Sequence, residues 1–204
     1  MDLGRIEGRS PRVIRDQDRE AAVLVPVVER ADELWLLFTK RADSLGQHAG
    51  QMSFPGGGRE QFDTDRQQTA LREANEEIGL DPTAVQVVGC LDDIRTVTQY
   101  AVTPYVSLIP DQPYTPDERE VAEIVVLPVR ALCRPDNFET ARREHPFYGQ
   151  LDIPYFHVDG YTVWGATGRI VVQFLELVTD WTPPEPTGRV TDSPSNDANT
   201  DVRQ

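Results

Sequence analysis

Apolar and polar positions along the chain fall into blocks of two different periods. "AAVLVPVVE" (21–29) and "ELWLLFTKR" (33–41) are apolar runs joined by the charged break "RAD", and they read as a β-hairpin or as neighbouring strands. "SFPGGG" (53–58) reads as a short strand ending in a glycine loop. The period then changes. Ala70, Leu71, Ala74 and Ile78 recur at the spacing of a helical stripe. Thr64 with Gln67 has capping-box spacing, and Gly79 suits the position just past a helix end.

Strand-like composition returns in "VQVVGCLD" (85–92), "VTPYVSLIP" (102–110) and "VAEIVVLPV" (121–129), all rich in β-branched residues. "YFHV" (155–158) and "YTVW" (161–164) flank an Asp-Gly turn and predict a hairpin. "GATGRIVVQFLELV" (165–178) reads as a closing helix. The pattern predicts a loose lead-in over 1–19, one mixed α/β domain over 20–180, and a disordered acidic tail over 181–204, where apolar residues are scarce.

Composition narrows this further. With 39% hydrophobic and 26% charged residues, the chain has the make-up of a soluble globular protein. No apolar run reaches membrane-spanning length, and the first twenty residues lack a signal-peptide core. Cys90 and Cys133 belong to no Cys/His cluster, so neither a zinc site nor a disulfide framework is predicted, and a cytoplasmic location is the expectation. The net charge is −14, with nineteen arginines and one lysine. Two readings stay open: an ordinary acidic surface from a GC-rich genome, or adaptation to high salt, where repulsion is screened. Both disfavour sequence-independent nucleic-acid binding, which needs a basic footprint.

The chemistry concentrates in "REANEEIGL" (72–80). Glu73, Glu76 and Glu77 stand at i, i+3 and i+4, where like charges cost a few tenths of a kcal/mol per pair. A divalent cation would convert that repulsion into coordination. Mg²⁺ wants hard oxygen ligands and keeps waters and substrate phosphates in its shell. The adjacent loop Gly56-Gly57-Gly58 lets backbone approach a ligand closely. Carboxylates and a phosphate-sized loop together point to phosphoryl-transfer hydrolysis with Mg²⁺ or Mn²⁺.

Gly58 to Leu80 resembles the 23-residue signature of the Nudix hydrolases, G-x5-E-x7-R-E-U-x-E-E-x-G-U, at Gly58, Arg72, Glu73, Ala74, Glu76, Glu77, Gly79 and Leu80. The middle Glu slot departs from it and holds Thr64 between Asp63 and Asp65. Counted from Gly57, Asp63 falls six residues on, a spacing similar to the coenzyme A pyrophosphatase branch. "TKRADSLGQHAGQMSFPGG" (39–57) resembles that branch too, with Gly46 in place of its usual arginine. So do "YAVTPYV" (100–106), "EVAEIVVLPV" (120–129) and "WGATGRI" (164–170).

The resemblance implies an α/β/α sandwich with a mixed β-sheet, and hydrolysis of a diphosphate linkage in coenzyme A or its thioesters. It implies metal ligation by Glu73, Glu77, Glu76 and the Gly56 carbonyl, with Arg72 orienting the glutamates. The general base is Glu73 or an acid from a distant loop, for which Glu120 and Glu123 are candidates. Lys40, Arg41, His48 and Gly57 are the substrate-binding candidates, and Lys40, Arg41 or Arg59 would stand in for the missing arginine. Tyr100 and Trp164 could stack on adenine or be core aromatics. His145 and His157 read as structural. The partner implied is a small nucleotide substrate rather than nucleic acid or membrane, and a homodimer is compatible with the sequence. ADP-ribose, NADH or a nucleoside triphosphate is the alternative substrate, and a non-catalytic Nudix-fold binding protein is the alternative class.

Overall fold

The computed structural model describes residues 1–42, 50–96, 98–145 and 149–184, with side chains of 143–145 excluded. The predicted hairpin forms from β1 (Arg19–Arg30) and β2 (Glu33–Arg41), antiparallel with Arg30 opposite Glu33. Ala31 and Asp32 make its two-residue turn at φ 47° and 64°, the left-handed pair that a tight hairpin turn requires. Further strands follow at β3 (Met52–Ser53), β4 (Gly56–Gly58), β5 (Gln86–Cys90), β6 (Ile94–Arg95), β7 (Tyr100–Leu108) and β8 (Val121–Pro128). These eight form one sheet. It is mixed, because β1 runs parallel to β7 while its other neighbours are antiparallel.

The pairing register makes a fork. β7 lies along one edge of β1 from Arg19 to Val27. On the other edge β1 pairs with β2 only from Val27 onward, and with β4 at Ala21 to Val23. β2 in turn leaves β1 and takes β3 at Thr39 and Lys40. The segment from Met52 to Gly58 therefore fills the gap where β1 and β2 diverge, and the three glycines expected to form a loop are instead a short strand, β4, paired with β1 in that fork.

Strand alternation gives the sheet two apolar faces. Ala22, Leu24 and Val28 of β1 with Leu37 of β2 face α1 (Arg66–Ile78). The helix offers Ala70, Ala74 and Ile78, and two alanines at its centre let it lie close to β1 and β4. Leu71 of the predicted stripe is only partly buried. The helix cap differs by one residue from the sequence expectation. Asp65, not Thr64, is the cap and accepts from the Gln68 N–H at 2.8 Å, while the Gln68 side chain accepts from the Thr64 N–H. Gly79 closes the helix at φ 67° as expected, its N–H bonding to Asn75 O at 2.9 Å.

On the opposite face Val25, Val27, Leu36 and Phe38 meet α3 (Gly165–Val178), after the short α2 (Val129–Leu132). A second, three-stranded antiparallel sheet joins this layer: β9 (Phe138–His145), β10 (Gly149–Val158) and β11 (Tyr161–Trp164). The Asp-Gly turn at 159–160 connects β10 and β11 as predicted, with φ 52° and 82°. β9 and the first half of β10 had no apolar signature in the sequence. Their pairing is supported by charge, with Arg142 Nε donating to Asp152 Oδ1 across the ladder at 2.9 Å.

Residues 2, 6 and 181 engage this core, and from 185 onward the tail expected to be disordered lies outside the described residues. Ile6 is buried in it, and the Asp2 N–H bonds to Val178 O at 2.9 Å. Trp181 packs edge-on to Phe138 at 5.3 Å. Among the described residues no helix is long and apolar enough to cross a membrane.

Candidate active site

The close fit of α1 to the fork places two of the three glutamates against the glycine loop. A Cβ added to Gly57 would lie 2.4 Å from Glu73 Oε1, so the carboxylate occupies the space a side chain would need. A Cβ on Gly56 would lie 2.4 Å from Ala22 O, which seats that glycine hard against β1. Glu77 is the more enclosed acid. Burial, then the charges of Glu73 and Glu120, push its pKa up from 4.5 to about 8, against the opposing pull of the Gly56 N–H and Arg41. Glu73 is also raised, by burial first, with Arg72 opposing.

Arg72 organises the acids. Its Nη1 lies 3.0 Å from Glu73 Oε1 and 3.0 Å from Glu76 Oε2. Its Nη2 donates to Gly58 O at 3.2 Å, tying the helix to the loop. The far side of the guanidinium is gripped by Asp63, Nε to Oδ1 at 3.0 Å and Nη2 to Oδ2 at 3.1 Å. Asp63 is 4% exposed and also accepts from the Glu60 N–H and the Thr69 hydroxyl. Arg72 foremost among these partners lowers its pKa to about 2. The acid with the longer spacing is thus the one that holds the arginine, while Thr64 in the usual slot is exposed.

Glu76 turns outward, its side chain 57% exposed. Glu120 is close enough to raise both Glu73 and Glu77. Glu123 is engaged elsewhere, accepting from the Tyr161 hydroxyl and lying 3.9 Å from Lys40 Nζ. The β2–β8 register shifts between Lys40 and Arg41, an irregularity that re-aims side chains, and Arg41 acts on Glu77. His48 and Gly46 lie outside the described residues. Arg59 is paired with Glu20 at 2.8 Å. Arg19 covers the Tyr100 ring at 4.0 Å, and Trp164 lies parallel to Tyr155 at 5.6 Å.

Sequence reading missed the anchor at the start of α1. Arg66 bonds to Glu20, to Asp93 Oδ2 at 3.1 Å and to Thr103 Oγ1 at 3.0 Å, pinning the helix to β1, to β7 and to the residue just before β6. A cation in a first helical turn opposes the helix dipole, and that was the available signal.

The donor set fits a hard divalent cation. Among the described residues Glu77 Oε2 is buried with no hydrogen-bond partner, which a carboxylate rarely tolerates without a cation or proton. Among the described residues no three acidic, His or Cys side chains converge into a ready-made cluster. Glu73 and Glu77 would supply two ligands, leaving positions for a backbone carbonyl, water and substrate oxygen.

A model of the NUDIX domain matches residues 18–148. The chain is 41% identical over 184 residues to the uncharacterized Nudix hydrolase NudL of Cronobacter sakazakii, across 83% of this chain and 88% of that protein. It is 40% identical over 177 residues to NudL of Escherichia coli O7:K1, with the same shares. The NUDIX domain of Shewanella oneidensis NrtR, solved with ADP ribose, is similar at 19% identity and TM-score 0.46, covering 60% of this chain and 80% of that one. The fold is that of a Nudix domain. The chain belongs to the Nudix hydrolases and is a pyrophosphohydrolase, a class that generally works with divalent metal ions.

Proposed function

We propose that the chain hydrolyses the diphosphate linkage of coenzyme A or an acyl-CoA, releasing 3′,5′-ADP and a 4′-phosphopantetheine product. The observation that carries the hydrolytic reading is the Glu73–Glu77 pair facing the three glycines, with Glu77 Oε2 left without a partner among the described residues. The substrate assignment rests on the sequence pattern over 39–57 and on the Gly57-to-Asp63 spacing.

Glu73, Glu77 and the Gly56 carbonyl would hold Mg²⁺ or Mn²⁺, and Glu76 would join through water. When bound, the cation supplies charge neutralisation of the diphosphate and a more acidic water. Asp63 fixes Arg72, and Arg72 fixes Glu73. Arg41 and Lys40 meet the anionic substrate. Water attacks one phosphorus, its proton passes to Glu120 or Glu73, and the bridging P–O bond breaks.

A second reading keeps this chemistry on ADP-ribose, NADH or a nucleoside triphosphate; Gly46, where the branch carries arginine, favours it. A panel of these substrates with coenzyme A, in Mg²⁺ or Mn²⁺, separates the two. The proposal predicts the highest kcat/KM on coenzyme A or an acyl-CoA, and a clear preference for ADP-ribose would overturn it.

A further inference from the structure

The face of the molecule away from α1 carries a hollow of ≈ 620 Å³, bounded by α3, β9, β10, the N-terminal segment and residues 183–184. Phe138, Pro154 and Val172 form an apolar wall, and Pro183 and Pro184 flank it. Arg9 and Arg12 contribute from the N-terminal segment. These arginines, the α3 residues and the prolines lie outside the 18–148 stretch matched to the NUDIX domain.

Arg169, on the α3 side of the hollow, has five N–H donors to satisfy. Among the described residues its guanidinium meets one acceptor, the Arg95 carbonyl at 3.3 Å. Arg169 is an exposed residue, and partial desolvation of its guanidinium lowers its pKa. Among the described residues, the other two acids that line this end of the hollow are already paired. Asp92 is held by Arg9 at 2.8 Å and by Arg12 at 3.5 Å, and Asp152 by Arg142 at 2.9 Å. Glu176, also lining the hollow, stands two turns on, about 10 Å along α3. It makes that end unfavourable for a second anionic group.

We infer that this hollow is a second ligand site, taking a molecule with one terminal anionic group, a carboxylate or a phosphomonoester, on an apolar body. The guanidinium fork of Arg169 takes the anion in a bidentate grip. The body lies along Phe138, Pro154 and Val172 toward Glu176.

Calorimetric titration of the full chain without divalent ions tests this, using octanoate, octyl phosphate and inorganic phosphate as probes. Saturable binding of octanoate or of octyl phosphate is the expected result and tells the carboxylate from the phosphomonoester. Inorganic phosphate, lacking the body, binds at least ~10-fold more weakly. Arg169→Leu removes the fork and Val172→Trp fills the wall; each weakens binding at least ~10-fold. Glu77→Gln leaves binding intact, which separates this site from the hydrolytic one, and hydrolysis assays on the same samples read that other proposal independently. Three results overturn the site: no saturable binding of octanoate or octyl phosphate, equal affinity in a folded Arg169→Leu or Val172→Trp variant, or loss of binding in Glu77→Gln.

Discussion

Asp63 and Arg72 face each other through two parallel hydrogen bonds, at 3.0 and 3.1 Å, with the carboxylate fully enclosed. Arg72 is thereby fixed from behind while its Nη1 holds Glu73 in front. Removing one partner of such a buried pair typically destabilises by about 3–5 kcal/mol, because the other charge is left uncompensated. Asp63→Asn should lower stability by an amount of that order and slow hydrolysis about 10–100-fold, with kcat falling more than KM rises. Chemical denaturation and steady-state kinetics check the two parts.

Glu77 gives a pH prediction with an unusual sign. Its pKa rises on folding from 4.5 to about 8, so between those values the folded state holds a proton that the unfolded state has lost. Stability of the metal-free protein therefore falls as pH rises from about 5 to about 8. Mg²⁺ or Mn²⁺ should reverse that fall, and most strongly at the alkaline end, where no proton competes for the carboxylate. Thermal melts across this range, with and without metal, measure it. Glu77→Gln should flatten the metal-free profile.

Gly57 has no room for a side chain because Glu73 fills the space. Gly57→Ala should fold, since β4 remains paired with β1, but must push the Glu73 carboxylate aside. The expected loss is about 100-fold in kcat, as misplacement of a reacting group by roughly 1 Å can produce. A crystal structure of the variant would show the displaced carboxylate.

The β1–β2 turn offers a test of the fold independent of the site. Ala31 sits at φ 47°, a conformation costing an alanine about 1 kcal/mol. Asn tolerates that region. Ala31→Asn should raise stability by about 0.5–1 kcal/mol with activity unchanged; equilibrium denaturation measures the gain.

Local patterning carried much of the fold. The β1–β2 hairpin, the strand at β7, the Asp-Gly hairpin and α3 each concentrate their apolar residues within one element, where a period can be read. β9 could not be found that way, because Arg142 and Asp152 stabilise its pairing across strands. Ile6 and Trp181 lie in stretches that looked like loose ends, and single apolar anchors leave no periodic trace. The fork that seats the glycine loop is a matter of strand register, which the chain does not display locally. At the site, spacing revealed Glu73, Glu76 and Glu77, and marked Asp63 as the displaced acid. Which of Glu120 and Glu123 stands near the glutamates depended on tertiary placement: Tyr161 and Lys40 engage Glu123, and Glu120 remains near the pair.

The most direct test of the central claim is product analysis of coenzyme A hydrolysis by the wild-type protein and by Glu77→Gln. The wild type should yield 3′,5′-ADP and 4′-phosphopantetheine only when Mg²⁺ or Mn²⁺ is present, at a rate at least ~100-fold above that of Glu77→Gln. An unchanged rate in a folded Glu77→Gln variant, or equal hydrolysis with the divalent ions chelated, would contradict it.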